Sequence, residues 1–433
     1  MKKVLLTIPG VISCCLLAAH FLRVAQPGLV ILFLSAPLLL LLSQVWTKRA
    51  LQLLLAVGAL VWCLTLFRIY QLRVATGQPY LRLLIILGSV ALFCLLAAWL
   101  LEGLGRPEAL ADHQTAALVV FLLSMLSFTI VQLKVRFPVI LLERFLTGGG
   151  WLEAFWLSVY AGWLLTKVSQ PKSATRWRPR IWGLFSFVFF LQLGLGLLGW
   201  ERFLMTGELH FPIPALIIGG PIYRGAGFFM LILFSVTVLL VGPAWCSWLC
   251  YIGSWDDLAT RFNKKRHELP RWRRTMRIAI FVLVIVCAYL LRIIPGSELL
   301  SGSLALGFGL IGVALMLTWS KDSGHMTHCT AYCPLGVLAN TLGKISPFRL
   351  RITQGCDQCG ACSKACRYDC LGRAELQSKK TGNSCTLCGD CLARCKERNI
   401  EYSFLNLSAE QSRVLFLSLV VTLHAVFLGV ARI

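Results

Sequence analysis

Residues 226–250 have the sequence AGFFMLILFSVTVLLVGPAWCSWLC, a long apolar run that ends in two cysteines separated by three residues. An α-helix of about 20 apolar residues is long enough to cross the hydrocarbon of a lipid bilayer. Similar runs recur along the 433 residues, of which 57% are hydrophobic and only 14% are charged. Because roughly a quarter of the residues of a soluble globular protein are charged, this composition predicts an α-helical, multi-span membrane protein.

Eleven runs qualify as candidate spans, with a margin of one or two. They cover residues 4–22, 28–46, 50–67, 81–101, 116–133, 151–168, 181–200, 226–245, 276–294, 303–319 and 414–430. Residues 134–150 mix charged and apolar side chains, which predicts a helix lying on the membrane surface. Residues 1–22 resemble a signal peptide, but they lack a clear small-residue cleavage site and a second span follows at once, so we expect a retained anchor.

The distribution of basic residues predicts the orientation of these spans. Residues 167–180 hold five Lys or Arg and residues 261–277 hold eight, whereas the intervening segments 201–224 and 292–302 hold two and one. The positive-inside rule therefore places the basic loops in the cytoplasm of a bacterium with the chain in its inner (plasma) membrane, and with eleven spans residues 321–413 are cytoplasmic too. The net charge of +23 is explained by these loops and by contact with anionic lipid, so no nucleic-acid partner is predicted.

Two cysteine runs carry the strongest chemical signal. Run one, residues 356–366 (CDQCGACSKAC), and run two, residues 385–395 (CTLCGDCLARC), share the spacing C-x2-C-x2-C-x3-C. In tandem runs of this kind, three cysteines of one run bind a cubane cluster whose fourth ligand is the last cysteine of the other run. We predict two [4Fe-4S] clusters, with structural zinc as the alternative. The predicted ligands are Cys356, Cys359, Cys362 and Cys395 for cluster one, and Cys385, Cys388, Cys391 and Cys366 for cluster two.

Several neighbours of the two runs affect this prediction. Arg367 and Lys396 stand where a proline usually follows the fourth cysteine, and Cys370 is a ninth thiol that we interpret as a spare rather than a ligand. The surrounding sequence is basic, which favours an anionic partner or the anionic lipid leaflet, although a solvated face is an equal alternative. The basic residues are Lys344, Arg349, Arg351, Lys364, Arg367, Arg373, Lys379, Lys380, Arg394, Lys396 and Arg398.

Two shorter motifs, Cys246/Cys250 and Cys329/Cys333, have the spacing C-x3-C. Each follows a predicted inward-running span, and cysteines four residues apart share one face if the helix continues. The repetition indicates an internal duplication of a two-helix unit that brings the pairs together at the membrane face. Four convergent thiols could hold an iron–sulfur cluster or another thiophilic metal, or could act as a dithiol relay, and the sequence leaves these three roles open.

Three polar residues lie close to these pairs. We interpret His328, directly before Cys329, as a residue of a loop surface rather than as an extra ligand or a proton acceptor. Asp256 and Asp257 are expected to stabilise the start of the helix after Cys250, where a negative charge is favourable. The sequence assigns no catalytic residue.

The segments GPAWCSWLCYIGSWDDLATRF (242–262) and HCTAYCPLGVLANTLGKISPFRLRI (328–352), followed by the two runs, resemble the membrane-bound polyferredoxin family. That family includes the membrane ferredoxin subunit of periplasmic nitrate reductase systems, the nitrous oxide reductase regulatory protein and the ferredoxin-bearing assembly protein of cbb3 oxidase. The resemblance covers about residues 181–402. It implies four core helices with two C-x3-C motifs and a cytoplasmic two-cluster ferredoxin that takes part in electron transfer linked to quinol or to a periplasmic partner.

These inferences predict four parts in the chain. Residues 1–170 form a bundle of about six helices of unknown role, and 171–345 form the four-helix core with both C-x3-C motifs. Residues 346–405 form an inserted α+β, bacterial-type two-[4Fe-4S] ferredoxin domain, and 411–433 form a C-terminal transmembrane helix.

The predicted function is single-electron transfer between a cytoplasmic or quinol donor and a membrane or periplasmic redox partner, such as a c-type cytochrome or a reductase. The chain is then an electron carrier or oxidoreductase component rather than a stand-alone enzyme, with a quinone as an optional cofactor. One alternative is a metalloenzyme assembly factor or cupric reductase that uses the C-x3-C thiols. Another is a transporter or redox sensor regulated by its clusters.

Overall fold

The computed structural model describes residues 2–24, 26–41, 45–103, 113–135, 137–204, 211–263, 267, 269–270 and 272–430. They form two compact units, each described here by itself. The first comprises residues 1–136, 151–166 and 417–425, and the second comprises residues 137–150, 167–416 and 426–433. The predicted four-part division of the chain stays a prediction.

The first unit is a bundle of apolar helices, as expected of a chain in lipid, where a helix satisfies its own backbone hydrogen bonds. Its helices are α1 (Lys2–Arg23), α2 (Pro27–Ser35), α3 (Val45–Ala75), α4 (Leu81–Leu100) and α5 (His113–Lys134), with segments of α7 (Gly149–Val168) and α18 (Ala409–Val430). Leu17, Leu51 and Leu55 are fully buried in its core. Within it, the hydroxyl of Tyr160 lies 3.1 Å from Nε2 of His424.

The second unit combines membrane helices with the ferredoxin domain. Before that domain its helices are α6 (Leu141–Phe145), α8 (Pro171–Leu197), α9 (Leu216–Arg224), α10 (Phe229–Val241), α11 (Gly253–Thr260), α12 (Arg273–Ile293), α13 (Glu298–Leu315), α14 (Lys321–Ser323) and α15 (Leu335–Leu342). Helix α10 ends at Gly242, whose φ of 67° and ψ of −162° are not helical. Pro243 follows, so the chain passes through a tight turn before it reaches Cys246.

Within the described residues, nine helices are long and apolar enough to cross a membrane, against the eleven spans predicted. The predicted span 28–46 differs because α2 gives way to a 3-10 turn at Ala36–Leu41. The predicted span 151–168 is helical in α7 and contains Glu153 and Lys167, but it is not among these nine helices. The multi-span helical fold is confirmed, whereas the surface helix predicted for 134–150 shrinks to the five residues of α6.

The ferredoxin domain has an α+β fold, as predicted. Strands β1 (Phe348–Ile352) and β2 (Ile400–Phe404) pair antiparallel, with Phe348 opposite Phe404 and Ile352 opposite Ile400. Two short helices lie between them in sequence, α16 (Ala361–Ala365) and α17 (Arg373–Gln377). The alternating apolar residues of both strands form its core together with the buried Leu376.

Candidate functional site: two cysteine runs and a four-thiol cavity

Runs one and two share one backbone conformation. Gln358 and Leu387, at equivalent positions, have φ values of 58° and 56°, and the two residues after the second cysteines, Gly360 and Gly389, have φ values of 74° and 81°. This left-handed turn curls the chain tightly around the first three cysteines, which is the shape that a cubane site requires. The repeated spacing of the sequence is therefore matched by a repeated structure.

The last cysteine of each run accepts a backbone hydrogen bond from the residue four positions later. The donor–sulfur distance is 3.4 Å from Cys370 N to Cys366 Sγ and 3.2 Å from Asn399 N to Cys395 Sγ. Hydrogen bonds to sulfur stabilise the thiolate form that a cluster needs and tune its potential. These contacts show that the residues present fit the predicted clusters.

The fold also brings each last cysteine toward the opposite run. Cys366 lies within electrostatic reach of Cys385 and Cys391 in run two. On the other side, the Asn399 side chain donates to the carbonyl of Gly355, 2.8 Å away, next to Cys356. This placement is compatible with the predicted ligand sets, in which the last cysteine of each run binds the cluster of the other run. The assignment of the eight ligands stays a prediction.

Cys370, which the sequence analysis interprets as a spare thiol, lies next to other cysteines of the two runs. It is buried, and its Sγ lies 3.2 Å from Sγ of Cys366. It is also within hydrogen-bonding reach of Cys385. The ninth thiol therefore touches two predicted ligands of cluster two. The sequence shows that a ninth cysteine lies near the two runs, but it does not show this contact.

The two C-x3-C motifs form matching turns, so the α-helix does not continue through either motif. Each is a π-turn closed by a hydrogen bond across five residues, from Cys250 N to the Trp245 carbonyl (2.9 Å) and from Cys333 N to the His328 carbonyl (2.8 Å). The second cysteine of each motif is extended, with ψ values of 117° and 119°. This equivalence supports the duplicated two-helix unit.

A glycine follows each turn at the same place. A Cβ atom at Gly253 would lie 3.0 Å from the Cys246 carbonyl oxygen, and one at Gly336 would lie 3.0 Å from the Cys329 carbonyl oxygen. Either contact is tighter than side chains normally tolerate, so both positions need glycine. The backbone can then fold back on the first cysteine, and it donates to the sulfur of the second, from Gly253 N to Cys250 Sγ at 3.4 Å.

The two turns converge on one small cavity of about 20 Å³. Its lining includes all four thiols, which come from Cys246, Cys250, Cys329 and Cys333. The remaining lining is mostly apolar apart from His328. The structure thus brings together the four cysteines that the sequence predicts to meet.

His328 and Asp256 belong to this site, contrary to the sequence interpretation of the first as a loop-surface residue. His328 is buried, and burial lowers its pKa to about 4. Asp256 is fully buried, which raises its pKa to about 6, and its Oδ2 accepts a hydrogen bond of 3.0 Å from Cys329 N. Ligand atoms of Asp256, His328 and Cys329 lie within 4.8 Å of one another.

A second small cavity, of about 30 Å³, borders the first at His328 and Cys333. It is otherwise lined mainly by apolar residues from the 212–215 segment, from α13 and from Ile252. The two cavities therefore place an apolar compartment directly beside the thiols.

Run two packs against the turn that carries Cys246, and so does Tyr368, which lies two residues after run one. The Ser247 hydroxyl donates to the Thr386 carbonyl (2.9 Å), and the Tyr368 hydroxyl donates to the Cys246 carbonyl (2.9 Å). The buried side chain of Leu387 lies over Gly242, where a Cβ atom would come within 2.8 Å of it. The ligand loop of cluster two is thus in direct contact with the four-thiol site.

A buried group of charges holds this contact. Arg178, 1% exposed, pairs with Asp390 of run two (2.7 Å) and with Asp257 (3.5 Å), and it donates to the Ser247 carbonyl (3.1 Å). Arg367 and Arg261 also pair with Asp257, at 3.0 Å and 2.7 Å. Burial alone would raise the pKa of Asp257, but the guanidiniums of Arg178, Arg367 and Arg261 hold that pKa below its ordinary value.

Sequence analysis missed Arg178 and underrated Asp257. Arg178 lies in the basic segment 167–180, where its charge contributes to the orientation signal and nothing distinguishes it from its neighbours. Asp257 was assigned only to the start of a helix. Each of them also has a partner in the ferredoxin domain, which is distant in sequence: Asp390 for Arg178 and Arg367 for Asp257.

Comparisons with known proteins agree with this site. A family described as "4Fe-4S binding domain" matches residues 223–268 and 304–353, the segments that hold the two C-x3-C motifs. YccM of Escherichia coli, a provisionally assigned electron transport protein, is 26% identical over 223 residues, which cover 46% of this chain and 58% of YccM. The ferredoxin-type protein NapH of E. coli is 26% identical over 184 residues, covering 38% and 64%.

An uncharacterised protein of Methanocaldococcus jannaschii, MJ0750, is 22% identical over 233 residues, covering 50% of this chain and 90% of its own length. The chain spans less than two thirds of both E. coli relatives. No solved structure matches it. The resemblance to membrane polyferredoxins is confirmed by the matched family and by these relatives.

Proposed function

We propose that this chain is a membrane-anchored iron–sulfur protein that passes single electrons between a cytoplasmic or quinol donor and a membrane or periplasmic redox partner. The observation that carries the proposal is the position of run two. Its loop is buried against the turn of Cys246 through the Ser247–Thr386 hydrogen bond, whereas residues 357–359 of run one are exposed. An electron that enters at run one therefore has a short, dry path to the membrane core.

The residues of the chain supply what such clusters need. A bound [4Fe-4S] cluster accepts and releases one electron, with a potential set by hydrogen bonds, nearby charge and exposure. The amides of residues 370 and 399 donate to the last cysteine of each run, and Gly360 and Gly389 give the tight turns. Run two adds the nearby guanidinium of Arg178, whose charge acts on Cys388.

The surface around run one fits an anionic partner. Lys364, Arg394, Lys396 and Arg398 are exposed there. A basic face accelerates association with an acidic donor protein and also favours an anionic lipid leaflet. In this proposal the chain lies in a bacterial inner membrane with the ferredoxin domain in the cytoplasm, and a quinol is the alternative donor.

A second candidate function is metal handling for the assembly of a partner metalloenzyme. It is favoured by the close approach of Asp256, His328 and Cys329, whose ligand atoms lie within 4.8 Å of one another. Under this function, replacement of Cys246 and Cys329 would abolish metal loading of a partner and leave the signals of both ferredoxin clusters intact.

Anaerobic purification of the full chain, followed by iron and sulfide analysis and by EPR of the reduced protein, tests the main proposal. We expect two [4Fe-4S] signals that require the eight cysteines of the runs. Replacing Cys359 with Ser should remove the signal of cluster one, whereas the control Cys63→Ser, at an exposed cysteine of α3, should change neither. A wild-type protein that binds zinc and no iron would end the proposal.

A further inference from the structure

Tyr368 joins the ferredoxin domain to the turn that carries Cys246. Its side chain is 3% exposed, and its hydroxyl donates to the Cys246 carbonyl at 2.9 Å. At the other end of the same residue, the backbone amide is within hydrogen-bonding reach of the sulfur of Cys366, a predicted ligand of cluster two. One residue therefore extends from a ligand sulfur of cluster two to the backbone of a thiol-bearing turn.

The phenol of Tyr368 lies among cysteines from both sides of this contact. Its electrostatic neighbours include Cys388 of run two and Cys246 and Cys329 of the two C-x3-C turns. The guanidinium of Arg178 is a further neighbour. Because a nearby positive charge disfavours the loss of an electron from the phenol, the ring is suited to conduct an electron without being oxidised itself.

A second hydrogen bond joins the same two parts of the molecule, from the Ser247 hydroxyl to the Thr386 carbonyl at 2.9 Å. Thr386 follows Cys385 and Ser247 follows Cys246, so this bond also connects a predicted ligand of cluster two with a thiol of the turns. It runs through main-chain and saturated side-chain bonds, whereas the route through Tyr368 includes a conjugated ring. Electron tunnelling decays less steeply across a conjugated ring, because its orbitals lie closer in energy to the transferring electron than those of saturated bonds.

We propose that Tyr368 is the bridging residue through which an electron passes between cluster two and a redox group held by the C-x3-C turns. The redox group is taken from the family described as "4Fe-4S binding domain", which matches both turns. The inference rests on the proposed function, which supplies cluster two. In each transfer one site loses one electron and the other gains it, while no covalent bond breaks and the Tyr368 hydroxyl keeps its proton.

Freeze-quench EPR of the full chain tests the bridge. Anaerobically purified protein is mixed with dithionite, and the signal of the turns is identified as the one that the double variant Cys246→Ser/Cys329→Ser lacks. In Tyr368→Phe, which removes only the hydroxyl, this signal should appear more slowly than in the wild type, while the midpoint potentials of both ferredoxin clusters stay unchanged. Tyr368→Leu also removes the ring and should slow the signal further.

Tyr402→Phe is the matched control. Tyr402 is also 3% exposed, and its hydroxyl donates to the Leu387 carbonyl of run two at 2.8 Å, a bond that stays within the ferredoxin domain. The substitution removes the same kind of buried hydrogen bond beside cluster two, so the signal of the turns should appear at the wild-type rate.

Four results would overturn the bridge. They are equal slowing in Tyr368→Phe and Tyr402→Phe, wild-type rates in both Tyr368 variants, a larger slowing in Ser247→Ala than in Tyr368→Phe, and a wild-type protein without any signal from the turns. Each of them leaves the two ferredoxin clusters, and therefore the proposed function, standing. A chain that binds no iron would overturn both.

Discussion

Position for position, runs one and two place different side chains on the same backbone. Gln358 is exposed where Leu387 is 3% exposed, and the half-buried Ala361 corresponds to the buried Asp390. Since the left-handed turn is the same in both, the spacing of cysteines and glycines forms the cluster loop, and the residues between them decide what the loop contacts. Run two has acquired an apolar and an acidic side chain that match Gly242 and Arg178 of the membrane core.

Replacing Arg178, which pairs with Asp390 of run two, should weaken the contact of run two with the membrane core more than any other change. Replacing Arg178 with Met keeps most of the side-chain volume but leaves Asp390 with only Arg367, at 3.5 Å. Removing one partner of a buried ion pair leaves an uncompensated charge, so we expect the contact of run two to lose about 3 kcal/mol. Hydrogen exchange of the amides in residues 385–391 measures this loss, compared with residues 356–362.

The matched control is Arg394→Met, which removes an exposed arginine of the same domain. Surface substitutions of this kind change stability by at most about 0.5 kcal/mol. If both variants left the exchange of run two unchanged, the ion group would not hold the domain on the core, and the two runs would differ only in sequence.

The sequence predicted the cluster loops because their information is local. The C-x2-C-x2-C-x3-C spacing, with Gly360 and Gly389, specifies a turn whatever surrounds it. The contact between run two and the membrane core was not predictable, because Arg178 and Ser247 meet run two only after the whole second unit has folded. The nine candidate spans among the described residues lie within the margin of the predicted count. One of the two differences has a related reason: a window of apolar residues does not show that α2 ends at Ser35 and that a 3-10 turn replaces it.

Replacing Leu387, which packs on Gly242, should weaken the contact of run two less than replacing Arg178. Leu387→Ala removes a buried side chain from Gly242 and should weaken the contact of run two by about 2 kcal/mol. Gln358→Ala is the control at the equivalent exposed position, where we expect a change within about 0.5 kcal/mol. Because both residues have φ near 57°, alanine carries the same backbone strain in each, and the difference between the variants measures packing alone. Equal effects would show that the burial of Leu387 contributes nothing to docking.

The smallest expected effect concerns the residue four positions after each last cysteine. After run one this position is Cys370, whose thiol touches Cys366 and Cys385. After run two it is Asn399, whose side chain bonds Gly355 and Thr353. When Cys366 and Cys385 bind the cluster as thiolates, the Cys370 thiol keeps its proton and donates a hydrogen bond to their sulfurs. A donor to sulfur stabilises the reduced cluster more than the oxidised one, because reduction adds negative charge.

Replacing Cys370 with Ala should therefore lower the potential of cluster two and leave cluster one unchanged. A loss of about 1 kcal/mol corresponds to roughly 40 mV for one electron, measured by EPR-monitored redox titration of the full chain. Cys370→Ser retains a donor and should show a smaller shift, and Asn399→Ala should not move cluster two. Loss of one cluster signal in Cys370→Ala would instead identify this thiol as a ligand, and run two would then differ from run one in how it holds its iron as well as in what it contacts.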